Sequence, residues 1–220
     1  MKLTDGALTL TDSEFARLLT GSAWPEGLTR DDDLRPALAA ISEPDAMGTI
    51  NLAVGDTLLS HTFWVHGATV AFLADLGTVA QADDRNVRLR SIRLDHLPMV
   101  LADASGTLDL AAGVAHAGEP FSSGLDQSLF HSRDGIRDAL HARSWERVWR
   151  IYFSLAADPD SIATLSGVVA LEDGVRTGYL LEQPSDSASG ENSVFCPASG
   201  SAVFFRFADL AGLFDSVGSA

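Results

Sequence analysis

The chain has 220 residues, 46% of them hydrophobic, with a single cysteine and a formal net charge of −15. A chain of that length buries roughly 70% of its unfolded surface, so it needs no disulfide or metal staple, and Cys196 has no second thiol to pair with. The charge is shared evenly, 8 basic and 16 acidic residues in 1–110 against 7 and 14 in 111–220; such a field disfavours nucleic acid and anionic membrane and suits a basic or apolar protein surface.

Taken in chain order, Thr11-Asp12-Ser13-Glu14 forms a capping-box pattern, with Leu10 and Phe15 at the staple positions. A helix therefore starts at Thr11, with Phe15, Leu18 and Leu19 as its apolar stripe and Gly21 at its end. A second helix follows Asp31-Asp32-Asp33, carries Pro36 in its first turn, shares Leu34, Leu38 and Ile41 on one face and stops at Pro44. Thr49 to Val54 alternates as a half-buried strand with Ile50, Leu52 and Val54 inward, up to a Gly55-Asp56 turn. Leu58–His66 and Thr69–Ala74 meet at Gly67 as a hairpin, and Val87–Leu94 is the strand before a helix at Asp95. Residues 104 to about 129, rich in Gly, Ala and Ser, read as the connection between halves.

In the second half, residues 145–155 fit either a helical face (Trp145, Val148, Trp149, Tyr152) or a strand face (Trp149, Ile151, Phe153, Leu155), and a strand from about Arg147 is preferred. Ile162–Leu171 and Val175–Leu181 flank Glu172-Asp173-Gly174 as a second hairpin. A polar stretch from Gln183 to Ser193, a strand at Ala202–Phe207 and a helix at Ala208–Val217 complete the chain.

Two echoes suggest duplication. Ile92-Arg93-Leu94-Asp95-His96-Leu97 and Phe205-Arg206-Phe207-Ala208-Asp209-Leu210 share their apolar, Arg and Leu positions at a shift of +113, each reading as a strand end followed by a short helix. Ile136-Arg137-Asp138-Ala139-Leu140 repeats Leu34-Arg35-Pro36-Ala37-Leu38 at +102. The expected fold is α+β, one domain over 1–220 built from two similar halves, about 1–110 and about 130–220, with a central, largely antiparallel sheet flanked by helices in pseudo-two-fold arrangement.

Little in the sequence carries chemistry. The six histidines, at 61, 66, 96, 116, 131 and 141, include no i,i+4 pair and no companion Cys cluster, and His61 and His66 fall on opposite faces of one strand. His96 reads as an exposed first-turn residue. No G-x-S-x-G elbow or phosphate-binding glycine loop occurs. Asp31-Asp32-Asp33 is explained by helix capping and Asp83-Asp84 by a polar turn, while Arg88, Arg90 and Arg93 alternate with Val87, Leu89 and Ile92 as the solvated face of a strand. Trp24, Trp64, Trp145 and Trp149 are core anchors, any exposed one being a natural binding hot spot. Cys196 stands in a Pro/Ser/Gly stretch with no motif. No catalytic, cofactor-binding or metal residue is assigned, and no cofactor is expected. With no apolar stretch behind Lys2 and no 18-residue apolar run, the expectation is a soluble cytoplasmic protein without a membrane partner.

Several segments resemble the EspG family, cytosolic chaperones of mycobacterial-type type VII secretion. These are Leu8-Thr9-Leu10-Thr11-Asp12-Ser13-Glu14-Phe15, the strand pair around Thr62–Ala74, Val87–Ile92 leading into Asp95-His96-Leu97, and Val203–Phe214. The resemblance implies a pseudo-two-fold α+β fold and a non-catalytic role in holding secretion substrates, PE–PPE heterodimers in that family, before export; a WXG100-type helical hairpin is another client of that kind. The alternative reading, from the charge alone, is an acidic immunity or inhibitor protein that neutralises a basic toxin. An enzyme would require Asp, His and Ser to meet in space without sequence proximity. Hairpin tips and the Gln183–Ser193 loop are the expected contact regions.

Overall fold

A computed structural model describes residues 2–4, 6–20, 34–78, 85–110, 121–122, 135–136, 138–139, 145–172, 174–182 and 194–217. Strands β1 (Lys2–Thr4) and β2 (Ala7–Thr11) precede α1 (Asp12–Leu19) and α2 (Arg35–Ser42). A meander follows, β3 (Ala46–Val54), β4 (Thr57–His66), β5 (Thr69–Thr78) and β6 (Arg85–Arg93), then a single 3-10 turn at Leu94–His96 and α3 (Leu97–Ser105). After β7 (Phe121–Ser122) comes a second meander, β8 (Arg147–Leu155), β9 (Asp158–Glu172), β10 (Val175–Glu182) and β11 (Val194–Ala198), closed by α4 (Gly200–Val217).

Among the described residues, eleven strands form one antiparallel sheet in the order β1-β2-β6-β5-β4-β3-β8-β9-β10-β11-β7. The α+β class and the antiparallel sheet are as the sequence predicts. The centre is the β3–β8 pair, where Ile50 faces Ile151. On either side the connectivity is the same: a four-strand meander runs outward from the centre, and the strand that precedes it in sequence, β2 or β7, adds to the outer edge.

Alternation within single strands divides the core between two faces. On one face Val70, Phe72, Ile50, Trp149 and Ile151 lie under α3 and α4, which supply Leu97, Leu101, Val203, Phe207 and Leu210. On the other face Ala71, Val87 and Leu89 pack with Leu18, Leu34, Ala37 and Ala40 of the first two helices and their flanks. Farther along that second face, Val148, Val168, Ala170 and Tyr179 pack with Ile136 and Ala139. The +102 echo thus matches equivalent burial, because Leu34 and Ala37 at one flank and Ile136 and Ala139 at the other are all buried.

The local grammar holds where turns are tight. Thr11 accepts from the Glu14 amide at 3.2 Å and Glu14 accepts from the Thr11 amide at 2.9 Å, which closes the capping box of α1. Gly55 and Gly67 take φ of +55° in the two turns predicted for them. The strand from Arg147 is the correct resolution of residues 145–155.

Other expectations need correction. Leu19 is 48% exposed, so the stripe of α1 runs through Phe15 and Leu18. The face of α2 is centred on Ala37 and Ala40, with Leu38 and Ile41 at its margin. Strands β1, β2, β7 and β11 lie outside the predicted elements; each is five residues or fewer. Ala104 and Ser105 belong to α3 rather than to a connection. Ile92 shares the face of Arg88 and Arg90, not that of Val87 and Leu89, and packs against the main core.

The largest difference is at Ala202–Phe207, which is helical from Gly200 onward rather than a strand. Val203, Phe207 and Leu210 are buried at helical spacing, whereas Phe205, which a strand would place beside them, is 66% exposed. The +113 echo therefore aligns a strand end with the middle of a helix. The strands that correspond in topology, β3 and β8, begin at Ala46 and Arg147, 101 residues apart. Gly21, Trp24, Asp31–Asp33, Asp83-Asp84, His116, His131, His141 and Gln183–Ser193 lie outside the described residues.

Candidate functional site

Strands β8, β9 and β10 and helix α4 enclose a groove of about 440 Å³. Its floor follows from alternation: Phe153, Leu165 and Leu180 point toward α4 and belong to the main core. Phe153 and Leu180 are 8% and 5% exposed, so the floor is packed from behind. The wall is the helix face Arg206, Asp209 and Leu210, three positions that helical spacing brings to one side. Glu182 closes the rim 3.8 Å from Arg206, with both side chains more than half exposed. Such a pair contributes little to stability and yields readily to a competing partner.

The surroundings are apolar beyond the groove itself. Phe205, beside Arg206, is 66% exposed, and Ile162 on β9 is 62% exposed. Ile162 owes its position to an irregularity: Phe153 pairs with Ala163 and Leu155 with Asp158, so residues 159–162 stand opposite Ser154 alone. At the β9–β10 turn Leu171 and Val175 are 59% and 43% exposed, flanking Gly174 at φ +79°. Exposed large apolar side chains of this kind mark interaction surfaces more often than single scattered ones do.

Among the described residues, the polar side chains that line the groove are Thr164, Glu182, Arg206 and Asp209, with no histidine or cysteine among them. Cys196 on β11 neighbours Leu180 in register, and its thiol is pushed up by burial and then by the Glu182 charge, so it stays protonated near neutral pH. Elsewhere, buried His61 accepts a hydrogen bond on Nδ1 from the Asp75 amide at 2.9 Å, and burial holds its pKa down at about 4. The Asp75 carboxylate is taken by Arg85 at 2.5 Å and by the amides of Ser60 and Gly77 at 3.1 and 2.9 Å. The Ser60 hydroxyl is bonded to Asn51 on the opposite face, so this neighbourhood does not assemble an acyl-transfer triad. Among the described residues, no group of three or more His, Cys, Asp or Glu is placed to hold a metal ion. Among them also, no helix is long and apolar enough to cross a membrane.

No protein-family model matches the chain, and no curated protein sequence matches it.

The other residues singled out in the sequence disperse. His61 is buried and His66 exposed on opposite faces of β4, as alternation predicts. His96 is exposed, although it follows Asp95 in a 3-10 turn where Asp95 binds Arg93 at 2.8 Å rather than capping a helix. Arg90 is not fully solvated; its guanidinium lies 5.3 Å from the Phe72 ring centre and burial depresses its pKa. Trp145 and Trp149 are core, as predicted, and Trp64 is half-buried against Phe15 at 6.3 Å. The groove residues were invisible as a site because Phe153, Leu165 and Leu180 read as ordinary core positions of strands. The signal that could have exposed the wall is the Val203, Phe207, Leu210 spacing, which turns Arg206 and Asp209 to one side of a helix.

Proposed function

We propose that the chain is a non-catalytic cytosolic chaperone or adaptor that holds a type VII secretion substrate, of the PE–PPE or WXG100 helical type, before export. The observation that carries this reading is the apolar-floored groove between α4 and β8–β10, bordered by exposed Phe205 and Ile162. A groove with an apolar floor and a charged rim suits an amphipathic helix, which lays its apolar face inward and leaves its polar face to Glu182, Arg206 and Asp209. The EspG resemblance supplies the client class. The matching connectivity of the two meanders supports reading the halves as copies related by a pseudo-two-fold axis.

The test is co-expression with WXG100, PE and PPE-type proteins encoded beside the gene, followed by size-exclusion chromatography. A stable complex is expected, lost in Leu165→Glu and retained in Leu19→Glu, which changes an exposed position on α1. Failure of every such client to copurify, or a complex indifferent to Leu165→Glu, would refute the proposal. Ionic strength separates the acidic-inhibitor alternative: a sterically apolar contact keeps its association rate in added salt, whereas a charge-steered inhibitor loses it steeply.

A further inference from the structure

The face of the sheet opposite α3 and α4 carries helical cover at its flanks. Helix α2 packs on β4, β5 and β6, and Ile136 and Ala139 pack on Val148, Val168 and Tyr179. Across the middle, pair register aligns Ser60, Asn51, Arg150 and Ser166 on the adjacent strands β4, β3, β8 and β9. The next row on the same face is Thr62, Thr49, Tyr152 and Thr164. Seven of these eight side chains are neutral and polar, and the eighth is a cation. Ser60, Asn51, Thr49, Thr62 and Tyr152 are half-buried, so this trough is open to solvent along part of its length.

Arg150 is the anomaly in it. The residue is only 6% exposed, and its buried Nε finds no acceptor. Among the described residues the guanidinium forms no hydrogen bond or ion pair; its close neighbour is the Tyr152 ring, 4.8 Å from centre to guanidinium carbon. Burial is the dominant influence on the group and disfavours its charge, and Tyr152, not a carboxylate, is what works against that. A guanidinium presents five N–H donors and no acceptor, and taking it out of water is costly unless an anion or acceptor meets it. The neighbours do not meet that need. Ser60 Oγ donates to Asn51 Oδ1 at 2.8 Å, which leaves Nδ2 as a further donor beside the arginine, and none of the oxygens of the row is hydrogen-bonded to the guanidinium.

We propose that the trough centred on Arg150 is a carboxylate-binding site, the guanidinium fork taking both oxygens of the ligand and Asn51 and Ser166 flanking it as additional donors. One cation among neutral neighbours matches one negative charge, which selects a carboxylate over a doubly charged phosphate. The net charge of −15 works in the same direction, since it repels ligands carrying several negative charges. The carboxylate can belong to a free small acid or to an acidic side chain of a peptide. This site is on the opposite face from the α4 groove, so it stands or falls separately from the chaperone reading.

The test uses the full chain, labelled with ¹⁵N-arginine, and follows the Arg150 Nε–H resonance. Sodium acetate is expected to shift it saturably, while acetamide and sodium chloride at matched ionic strength leave it in place. A blocked tripeptide with one central glutamate provides the second arm. Binding at least about tenfold tighter than acetate identifies a protein side chain as the natural ligand, and equal or weaker binding identifies a small acid. Arg150→Lys keeps the charge but loses the fork and should weaken acetate by about tenfold or more, read from the shifts of the neighbouring backbone amides. Arg150→Met removes an uncompensated buried cation, so it should abolish the response while leaving the melting temperature unchanged or raised. Four results would each overturn the proposal: no shift beyond that of chloride, full acetate binding by Arg150→Met, phosphate bound in preference to acetate, or a marked loss of thermal stability in Arg150→Met, which would mean that the chain supplies its own anion.

Discussion

At the scale of single residues, His61 shows how burial converts a titratable group into a fixed structural acceptor. Its Nδ1 receives the Asp75 amide, so the ring must be neutral, and its pKa of about 4 lies well below the ordinary value of 6.5. A depressed pKa in the folded state means that the unfolded chain takes the proton first. The stabilisation is therefore complete above pH 6.5, falls as pH drops from 6.5 toward 4, and is gone below that. A gap of this size corresponds to roughly 3 kcal/mol. Urea unfolding of the native chain should lose about that much between pH 7 and pH 4 relative to His61→Asn, which offers an amide oxygen to Asp75 and has no proton to bind; parallel pH profiles of the two proteins would contradict the assignment. Gly167 is constrained by space rather than charge. A Cβ there would strike the Trp149 ring and approach the Tyr179 carbonyl at 2.6 Å, so Gly167→Ala should destabilise by about 1–3 kcal/mol in the same assay. Neither effect was legible in the sequence, where His61 is one of six scattered histidines and Gly167 an unremarked residue of a strand, because both arise from backbone and side-chain groups on neighbouring strands.

At the scale of elements, legibility follows how local the deciding interaction is. The capping box of α1, the Gly67 hairpin and the Gly174 hairpin turn are decided within a few residues, and the sequence predicts each of them. The segment 200–217 was harder because Val203, Phe205 and Phe207 satisfy a period of two while Val203, Phe207, Leu210 and Ala211 satisfy the helical period. What settles it is α3, against which the second set packs, leaving Phe205 outside. Gly212 stands inside that helix with open space where a Cβ would go. Glycine in a helix interior is less favourable than alanine by about 0.5–1 kcal/mol, so Gly212→Ala should raise the urea midpoint by a corresponding amount with no change in slope. An unaltered or lowered midpoint would mean that residue 212 is not held in a formed helix. The short strands β2, β7 and β11, at or next to the edges of the sheet, lie outside the predicted elements for the converse reason: with five residues or fewer, their pairing is specified by partners distant in sequence and scarcely by their own periodicity.

At the scale of the whole molecule, the sheet is joined through its middle rather than at an edge. Strands β3 and β8 pair over their full lengths, from Ala46↔Leu155 to Val54↔Arg147. The main core draws Ile50, Phe63 and Leu97 from the first half and Trp149, Ile151 and Phe207 from the second, with Trp149 against Phe207 at 5.4 Å between ring centres. Neither half can keep that core without the other, however alike their connectivity, because α3 and α4 lie against each other over the seam. This long-range pairing has no signature in either strand alone; each reads simply as an apolar strand. Unfolding should therefore be a single cooperative transition, with far-UV circular dichroism and tryptophan fluorescence giving coincident curves. A probe specific to each half sharpens the test. Ile50 is fully buried opposite Ile151, and Ile50→Ala should cost about 2–5 kcal/mol. In a rigidly coupled molecule that loss shifts the transition seen by Trp64 in the first half and by Trp149 in the second equally, each isolated by replacing the other tryptophans with phenylalanine. A shift confined to the Trp64 signal, or two separated transitions, would show that the halves fold as independent domains and that the β3–β8 seam is only a contact between them.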